Sequence, residues 1–256
     1  MSNCNRIPGV GSLRAAALSP HVVTVNVDVI DPWQRGCFLD AGMLAFLRET
    51  FGCPADVAAS IAKRAADRRY PLNAIILRQG DRANATYLLV IGRAHAMTYG
   101  GEGQAVLLRE FLRGDFFGAL SEAAPEDADV VAVEEVRSAV FGASEFMALI
   151  ENYSCVGLVV SRVLLKQLRA SSARIVESTT LSAAGRIHVE LLRLARLGDG
   201  KTIQPPPVLA ALATRVNTTR ETVSRTINAL ERRGLIRRDA KELVIVSPRA
   251  LEELAV

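Results

Sequence analysis

The spacing of apolar residues changes twice along this chain, and the changes divide it into parts with different secondary structure. From residue 40 to residue 69 apolar residues recur at helical spacing, with a break at Pro54. Between residues 74 and 141 they alternate in short runs separated by glycine-containing turns. After Ser144 the helical spacing returns and continues to Gly198. The pattern predicts a block of short strands that lies between helices in the sequence.

The alternating block is typical of a sandwich, roll or barrel, because many short strands follow one another at close spacing. The strand-like runs are residues 74–81, 86–92, 94–99, 104–111, 116–118, 130–133 and 137–141. Alternating valines from Val23 to Val29 predict one more strand near the N-terminus.

Composition allows two modest domains and places the positive charge locally. The chain has 256 residues and a net charge of +4, so a uniformly basic surface is excluded. Residues 205–238 contain seven arginines and two glutamates, an excess of five positive charges. Binding to nucleic-acid phosphates depends on such a local excess. No apolar run approaches the roughly 20 residues that span a bilayer, and no signal peptide is evident. We therefore expect a cytoplasmic protein with no membrane partner.

The cysteines and histidines form no pattern that indicates a catalytic or metal centre. The cysteines are Cys4, Cys37, Cys53 and Cys155. They contain no CxxC pair, so we interpret them as free thiols in a reducing compartment, with oxidation of one of them left open. The three histidines have no metal-ligand spacing. With no phosphate-binding glycine loop or nucleophile motif either, we expect no enzymatic activity, no metal and no cofactor.

The C-terminal part of the chain predicts a helix-turn-helix followed by a wing. The expected elements are a first helix at 208–216, a second helix at 219–232 and two wing strands at 235–238 and 242–246. Pro205 and its two proline neighbours prevent a preceding helix from continuing. Asn217 suits the left-handed backbone of a tight turn, and Gly234 stops the second helix.

The second of these helices combines a cap, a face to bury and a polar face. Thr219 or Thr218 can cap it, and Val223, Ile227 and Leu230 recur at the spacing of one buried face. The opposite face carries polar side chains near the N-terminus, namely Arg220, Glu221, Ser224 and Arg225. Arginine can bond to guanine O6 and N7, and glutamate can accept from cytosine N4. A solvated charged face is the alternative for these charges taken alone.

The helix after Ser144 has an unusually wide apolar face. Its stripe consists of Gly157, Val160, Leu164, Leu168 and Ile175, at spacings of mostly three or four residues. Such a face suggests that the helix packs against its own domain and against a partner helix. A core helix within a single chain remains the alternative.

The assembled pattern resembles the Crp/Fnr family of bacterial transcription regulators over roughly residues 45–255. The motifs that carry the resemblance are residues 220–225 (RETVSR), 230–236 (LERRGLI), 78–81 (RQGD), 87–93 (YLLVIGR) and 114–118 (GDFFG). The resemblance implies an α+β fold with an N-terminal β-roll of the cyclic-nucleotide-binding type, a long dimerisation helix and a C-terminal winged helix-turn-helix. The expected divisions are an extension at 1–40, a roll at 41–152, a dimerisation helix at 153–178 and a DNA-binding domain at 179–256.

The resemblance also implies roles for individual residues. The family's base-reading positions fall on Arg220, Glu221, Ser224 and Arg225. Contacts to the DNA backbone are expected from Arg215, Thr218 and Thr222, with Thr219 as the helix cap. A homodimer would read a palindrome with a TGA-like core in each half-site, and RNA polymerase is left open as a further partner.

The nucleotide-binding positions of the family are changed in this chain. Gly118 is followed by Ala119 instead of the glutamate that holds the ribose, and the positions of the phosphate-binding Arg-Ser or Arg-Thr pair fall on Glu126 and Asp127. Like charges about 4 Å apart repel by about 4 kcal/mol at an effective dielectric of about 20, so carboxylates here oppose a cyclic phosphate. We therefore expect a DNA-binding regulator that does not bind a cyclic nucleotide. The alternatives are a ligand-gated regulator with other pocket residues, an enzyme with a regulatory roll, and a protein-interaction adaptor.

Overall fold

A computed structural model describes residues 41–82, 84–100, 105–119 and 125–255. The prediction of a strand at Val23–Val29 and the expected extension at 1–40 lie outside the described residues.

Two short helices open the described chain. Helix α1 spans Ala41–Phe51 and helix α2 spans Ala55–Ala62. Gly52, with φ of 57°, ends the first helix before Pro54. The helical pattern was expected to continue to residue 69, and this is wrong, because strand β1 occupies Ala66–Tyr70. Its sequence, ADRRY, has no apolar alternation, so its pairing with another strand decides its conformation.

Among the described residues eight strands form the roll, which confirms the predicted architecture. After β1 the strands are β2 (Ile75–Leu77), β3 (Ala85–Ile91), β4 (Ala94–Tyr99), β5 (Ala105–Phe111), β6 (Phe116–Gly118), β7 (Asp129–Ala132) and β8 (Val136–Gly142). They make two four-stranded sheets, ordered β1-β8-β3-β6 and β2-β7-β4-β5. Every recorded strand pair in these sheets is antiparallel.

Neighbouring residues of one strand supply the two cores of this domain. Leu88 of β3 belongs to the core that lies between the first sheet and the helices, and Leu89 belongs to the core inside the roll. Phe116 and Phe117 of β6 divide in the same way. Because successive side chains of a strand point to opposite faces, the first sheet is buried on both sides.

A long helix connects the roll to the C-terminal part of the chain. Helix α3 covers Ala143–Asn152, and helix α4 covers Ser154–Thr180 over 27 residues, a length of about 40 Å. Only Val156 and Val160 of α4 are buried. Among the described residues no single helix is long and apolar enough to cross a membrane. Only α3 and α4 taken together, across their 112° bend, meet that test of length and composition.

The C-terminal unit, residues 183–255, has its own core. It contains α5 (Ala183–Ala195), β9 (Thr202–Ile203), α6 (Leu209–Arg215), α7 (Arg220–Arg232), β10 (Ile236–Arg238), β11 (Leu243–Ile245) and α8 (Pro248–Glu253). The helix-turn-helix and the wing are confirmed. The wing is a three-stranded sheet of order β10-β11-β9, and its third strand was not predicted because two residues carry no periodicity.

Candidate nucleic-acid interface

The turn between α6 and α7 is fixed by its backbone and by two arginines. Asn217 has φ of 50°, as its place in the turn predicted. Arg174 of α4 donates to the Arg215 carbonyl at 3.0 Å. Arg186 of α5 donates to the carbonyls of Val216 at 2.9 Å and Asn217 at 3.1 Å. These bonds satisfy carbonyls that the end of α6 leaves without helical partners.

Helix α7 begins and packs as the sequence predicted. The Thr219 side chain accepts a hydrogen bond from the Thr222 backbone N–H at 3.2 Å, which caps the helix. Val223, Ile227 and Leu230 are buried, with 0%, 1% and 2% of their surface exposed. The packing of this face leaves the opposite face of the helix directed to solvent.

The predicted base-reading side chains share that solvent-directed face. Arg220, Glu221 and Arg225 are exposed and Ser224 is half-exposed. Within the described residues the guanidinium of Arg220 makes no hydrogen bond or ion pair, and Arg225 makes only a 3.4 Å contact to the Thr222 hydroxyl. The backbone N–H of Glu221 and the Thr219 hydroxyl lower the pKa of the Glu221 carboxyl. The face thus presents two cations and one carboxylate that packing does not occupy.

Thr218 and Thr222 flank this face. Thr218 is half-exposed in the turn, where its backbone N–H donates to the Ala213 carbonyl at 3.0 Å. Thr222 is half-exposed one turn into the helix, beside Thr219. Both residues are therefore partly open to solvent at the start of α7.

The wing is tied to the end of α7. Arg238 of β10 forms an ion pair with Glu231 at 3.1 Å and donates to the Asn228 side chain at 2.6 Å. Asp239 accepts from the backbone N–H groups of Lys241 at 2.7 Å and Glu242 at 2.9 Å. These contacts hold the basic strand β10 next to the helix.

Arg215 is placed differently from the phosphate contact that was expected. Its guanidinium forms ion pairs with Glu110 of β5 at 2.5 Å and with Glu190 of α5 at 3.4 Å, and its side chain is 19% exposed. The last turn of α6 faces the roll, so this arginine joins two parts of the chain instead of pointing to the exposed face of α7. In this structure the side chain is not available to a phosphate.

Glu110 is the centre of that connection. It accepts from His95 at 3.2 Å and also lies 3.9 Å from Arg93. Burial would raise the pKa of the Glu110 carboxyl, but hydrogen bonds from His95 and Arg215 and the charge of Arg215 outweigh it and hold that pKa at about 2. The carboxylate therefore stays charged and holds the C-terminal unit against the roll.

A second site lies in a cleft between the roll and α4. The cleft has a volume of about 260 Å³ and is lined by Gly118, Glu126 and Asp127, which were predicted as changed nucleotide-binding positions. Gly118 has φ of +84°, and a Cβ on it would lie 2.5 Å from the Ala85 carbonyl oxygen, so the position requires glycine. Ala119 is buried directly after it. Burial and the charge of Asp127 raise the pKa of the Glu126 carboxyl.

One cation in this cleft was missed by sequence reasoning. Arg109 of β5 lines it and donates to the Gln167 side chain of α4 at 3.4 Å. It stands on a different part of the chain from the acidic residues Glu126 and Asp127, so no local motif indicated that it lies beside them. Asp129, the first residue of β7, accepts from the Gln79 backbone N–H at 2.8 Å. Its role is therefore structural.

The predicted stripe of α4 divides into an inner and an outer part. Val160 is 6% exposed and packs in the core of its own chain, and Gly157 faces Ile150 of α3. Leu164, Leu168 and Ile175 are 43%, 63% and 63% exposed. The outer part is an apolar surface that no described residue of this chain covers.

The described residues contain no group of three or more histidine, cysteine or acidic side chains arranged to hold a metal ion. His188 is buried against the Leu254 carbonyl, at 3.2 Å from its Nδ1. Cys53 and Cys155 are free thiols.

Comparison with known proteins gives a family match to each half of the chain. Residues 67–153 match the cyclic nucleotide-binding domain family, and residues 185–254 match the Crp-like helix-turn-helix domain family. Among solved structures, that of a CooA variant from Carboxydothermus hydrogenoformans has a TM-score of 0.69 at 19% identity. It covers 82% of this chain and 95% of that one, and it shows the shared fold.

Curated relatives agree with these matches. The chain is 31% identical over 203 residues to the cyclic AMP receptor protein of Thermus thermophilus, covering 78% of this chain and 91% of the relative. It is 28% identical over 190 residues to the cAMP-activated global transcriptional regulator CRP of Salmonella typhimurium, covering 71% and 90%. These relatives are transcription regulators and not enzymes. Because it has a winged helix-turn-helix, a roll and this similarity to known members, the chain belongs to the Crp/Fnr family of DNA-binding transcription regulators.

Proposed function

We propose that this regulator acts as a homodimer on a palindromic DNA site, that it reads the bases through Arg220, Glu221, Ser224 and Arg225, and that it does so without a cyclic nucleotide. The observation that carries the base-reading assignment is the face of α7. Its apolar side is buried, whereas its polar side offers Arg220, whose guanidinium makes no hydrogen bond or ion pair among the described residues. A helix placed in this way presents its N-terminal side chains to base edges in the major groove.

The chemistry of the four side chains fits base edges. Arg220 and Arg225 can each bond O6 and N7 of a guanine, and the Glu221 carboxylate, ionised at neutral pH, can accept from a cytosine amine. Thr218 and Thr222 would contact phosphates, which position a protein without reading sequence. Arg232, Arg233 and Arg237 are exposed nearby and add positive charge to the same unit.

The outer stripe of α4 supports a dimer. Leu164, Leu168 and Ile175 follow one another at spacings of four and seven residues, the repeat of a two-helix seam. They are large, apolar and exposed, and Leu158, Leu165 and Val176 of the same helix are exposed as well. A second copy of the same helix would cover them, and its two-fold symmetry would match a palindromic site.

The acidic lining of the cleft supports the absence of a cyclic nucleotide. Glu126 and Asp127 line the cleft where relatives of the cyclic-nucleotide-binding type place a phosphate-binding pair. Two carboxylates beside a cyclic phosphate would repel it, and the sequence from Gly118 to Asp129 contains no basic residue.

The experiment begins with genome-wide mapping of bound sites, followed by titration of a recovered site with purified protein. Arg220→Ala and Arg225→Ala should each weaken specific binding by about 1–3 kcal/mol, roughly 5- to 150-fold, and relax the sequence preference. Arg232→Ala is the matched control, since it removes the same charge from the exposed end of the same helix. It should weaken specific and non-specific binding alike. An unchanged sequence preference in both Arg220→Ala and Arg225→Ala would contradict the assignment.

A ligand-gated regulator is the second candidate, and Arg109 is the observation that favours it. This side chain supplies a cation to the cleft beside Gln167, so an anionic ligand has one possible partner there. Calorimetric titration with cyclic AMP and cyclic GMP separates the two candidates. Saturable micromolar binding that is lost in Arg109→Ala would establish the second candidate and exclude the nucleotide-free mode.

A further inference from the structure

One polar side chain on the exposed face of α7 lies beyond the four predicted base-reading positions. Asn228 is exposed, and it follows Glu221 by seven residues. At 3.6 residues and 5.4 Å per turn, the two side chains leave the helix within about 20° of each other and about 10 Å apart along its axis. A helix that directs Glu221 to base edges therefore directs Asn228 into the same groove, about two turns further along.

The amide of Asn228 is held in one orientation by the wing. Arg238 of β10 donates from its guanidinium to the Asn228 side-chain oxygen at 2.6 Å and pairs with Glu231 at 3.1 Å. Because a guanidinium only donates, the amide oxygen and not the NH2 group must face it. Among the described residues no acceptor bonds to that NH2 group, so its two N–H donors stay available.

The backbone of Arg238 is fixed by the core of the C-terminal unit. Arg238 lies opposite Leu243 in the wing sheet, and Leu243 is 1% exposed. Ile236, two residues before Arg238, is 2% exposed and belongs to the same apolar core. The guanidinium therefore reaches Asn228 from a strand that packing holds in place.

We propose that Asn228 is a fifth base-contacting residue and that Arg238 sets its specificity, a role that rests on the proposed base-reading function of α7. With its oxygen bonded to Arg238, the amide presents donors to the major groove. Guanine, adenine and thymine each offer an acceptor there, whereas cytosine offers an amine donor. The pair therefore disfavours cytosine at one position of each half-site and accepts the other three bases.

The test is selection of binding sites from a randomised DNA pool with the full chain and its variants. Asn228→Ala should remove the discrimination against cytosine and leave the positions read through Arg220 and Arg225 unchanged. Its affinity for the selected site should fall by about 2- to 12-fold per half-site, the effect of one lost hydrogen bond. The position is exposed and alanine favours helix, so the fold should persist, which circular dichroism verifies.

Asn228→Asp distinguishes a base contact from a purely structural tie to the wing. The carboxylate keeps an oxygen for Arg238 but has no donor, so a tie would tolerate the change without altering sequence preference. A base contact should instead switch to cytosine, whose amine donates to a carboxylate. Gln204→Glu is the matched control, since it makes the same amide-to-carboxylate change at an exposed position of the same unit. Its sequence preference should match that of the wild type.

Arg238→Ala tests the second half of the proposal. Bidentate reading of adenine uses the amide oxygen as well as the NH2 group, and Arg238 competes for that oxygen. Its removal should narrow the preference at this position from three bases toward adenine. Arg249→Ala removes another arginine of the same unit that pairs with one glutamate, Glu253 at 3.5 Å, and should leave every position unchanged.

The outcomes separate this role from the function of the helix as a whole. An unchanged preference in Asn228→Ala, with altered preferences in Arg220→Ala and Arg225→Ala, would overturn the role of Asn228 and leave the proposed function intact. An unchanged preference in all three variants would overturn both. Wild-type selection by Arg238→Ala would refute the part assigned to the wing.

Discussion

Replacing Glu110 by glutamine should weaken the contact between the C-terminal unit and the roll, with little change in side-chain volume. Glu110 of β5 bonds to Arg215 at the end of α6 and to His95 of β4. Glutamine keeps the size of the side chain but removes the charge, so that Glu190 is then the ionic partner left to Arg215 among the described residues. The contact that joins the two parts of the chain is then weakened at its centre.

The magnitude follows from the pKa of the carboxyl. It falls from 4.5 to about 2 in the folded protein. Each unit corresponds to about 1.4 kcal/mol, so the ionised form is favoured by about 3 kcal/mol at most. The side chain is 25% exposed, and solvent screening reduces the expected loss to about 2 kcal/mol.

The pH dependence gives an independent measurement of the same effect. A depressed carboxyl pKa contributes stability above pH 4.5, and this contribution is lost as the pH falls from 4.5 to about 2. The free energy of unfolding, measured with urea, should therefore differ between wild type and Glu110→Gln by about 2 kcal/mol at pH 7, and by much less near pH 2.

The control is Glu134→Gln, which breaks the ion pair of Glu134 with Arg93 at a position where the glutamate is 43% exposed. An exposed pair of this kind should contribute less than about 1 kcal/mol. Equal stability of Glu110→Gln and wild type at pH 7, or a difference that persists unchanged at pH 2, would refute the reasoning.

Three further substitutions test other parts of the structure. Thr219→Ala removes the cap of α7 and should lower the free energy of unfolding by about 1 kcal/mol in thermal denaturation; an unchanged melting temperature would contradict the cap. Leu168→Glu places a charge in the outer stripe of α4 and should shift sedimentation from dimer to monomer, whereas Arg169→Glu on the exposed surface of the same helix should not. Gly118→Ala combines a positive φ with a Cβ 2.5 Å from a carbonyl oxygen, so it should destabilise the roll by more than about 1 kcal/mol; a neutral effect on urea unfolding would show that the strand relaxes.

Local patterns predicted the elements whose conformation their own residues determine. The apolar face of α7 follows from Val223, Ile227 and Leu230, and its start follows from Thr219. Alternation found β3 and β4, since a strand beside a core must alternate its side chains or bury both faces. The polar strand β1 was missed because its partner β8, and not its composition, makes it a strand.

The sequence by itself determined the family fold, the order of its parts and the buried and polar faces of α7, because periodicity, capping and turn chemistry act over a few residues. Only the tertiary structure decided where Arg215 and Arg109 lie and which groups they contact. Arg215 meets Glu110 across a separation of 105 residues, and a pattern in the neighbourhood of either residue does not contain that contact. Arg109 reaches the acidic cleft for the same physical reason: long-range packing brings together side chains that local sequence leaves unrelated.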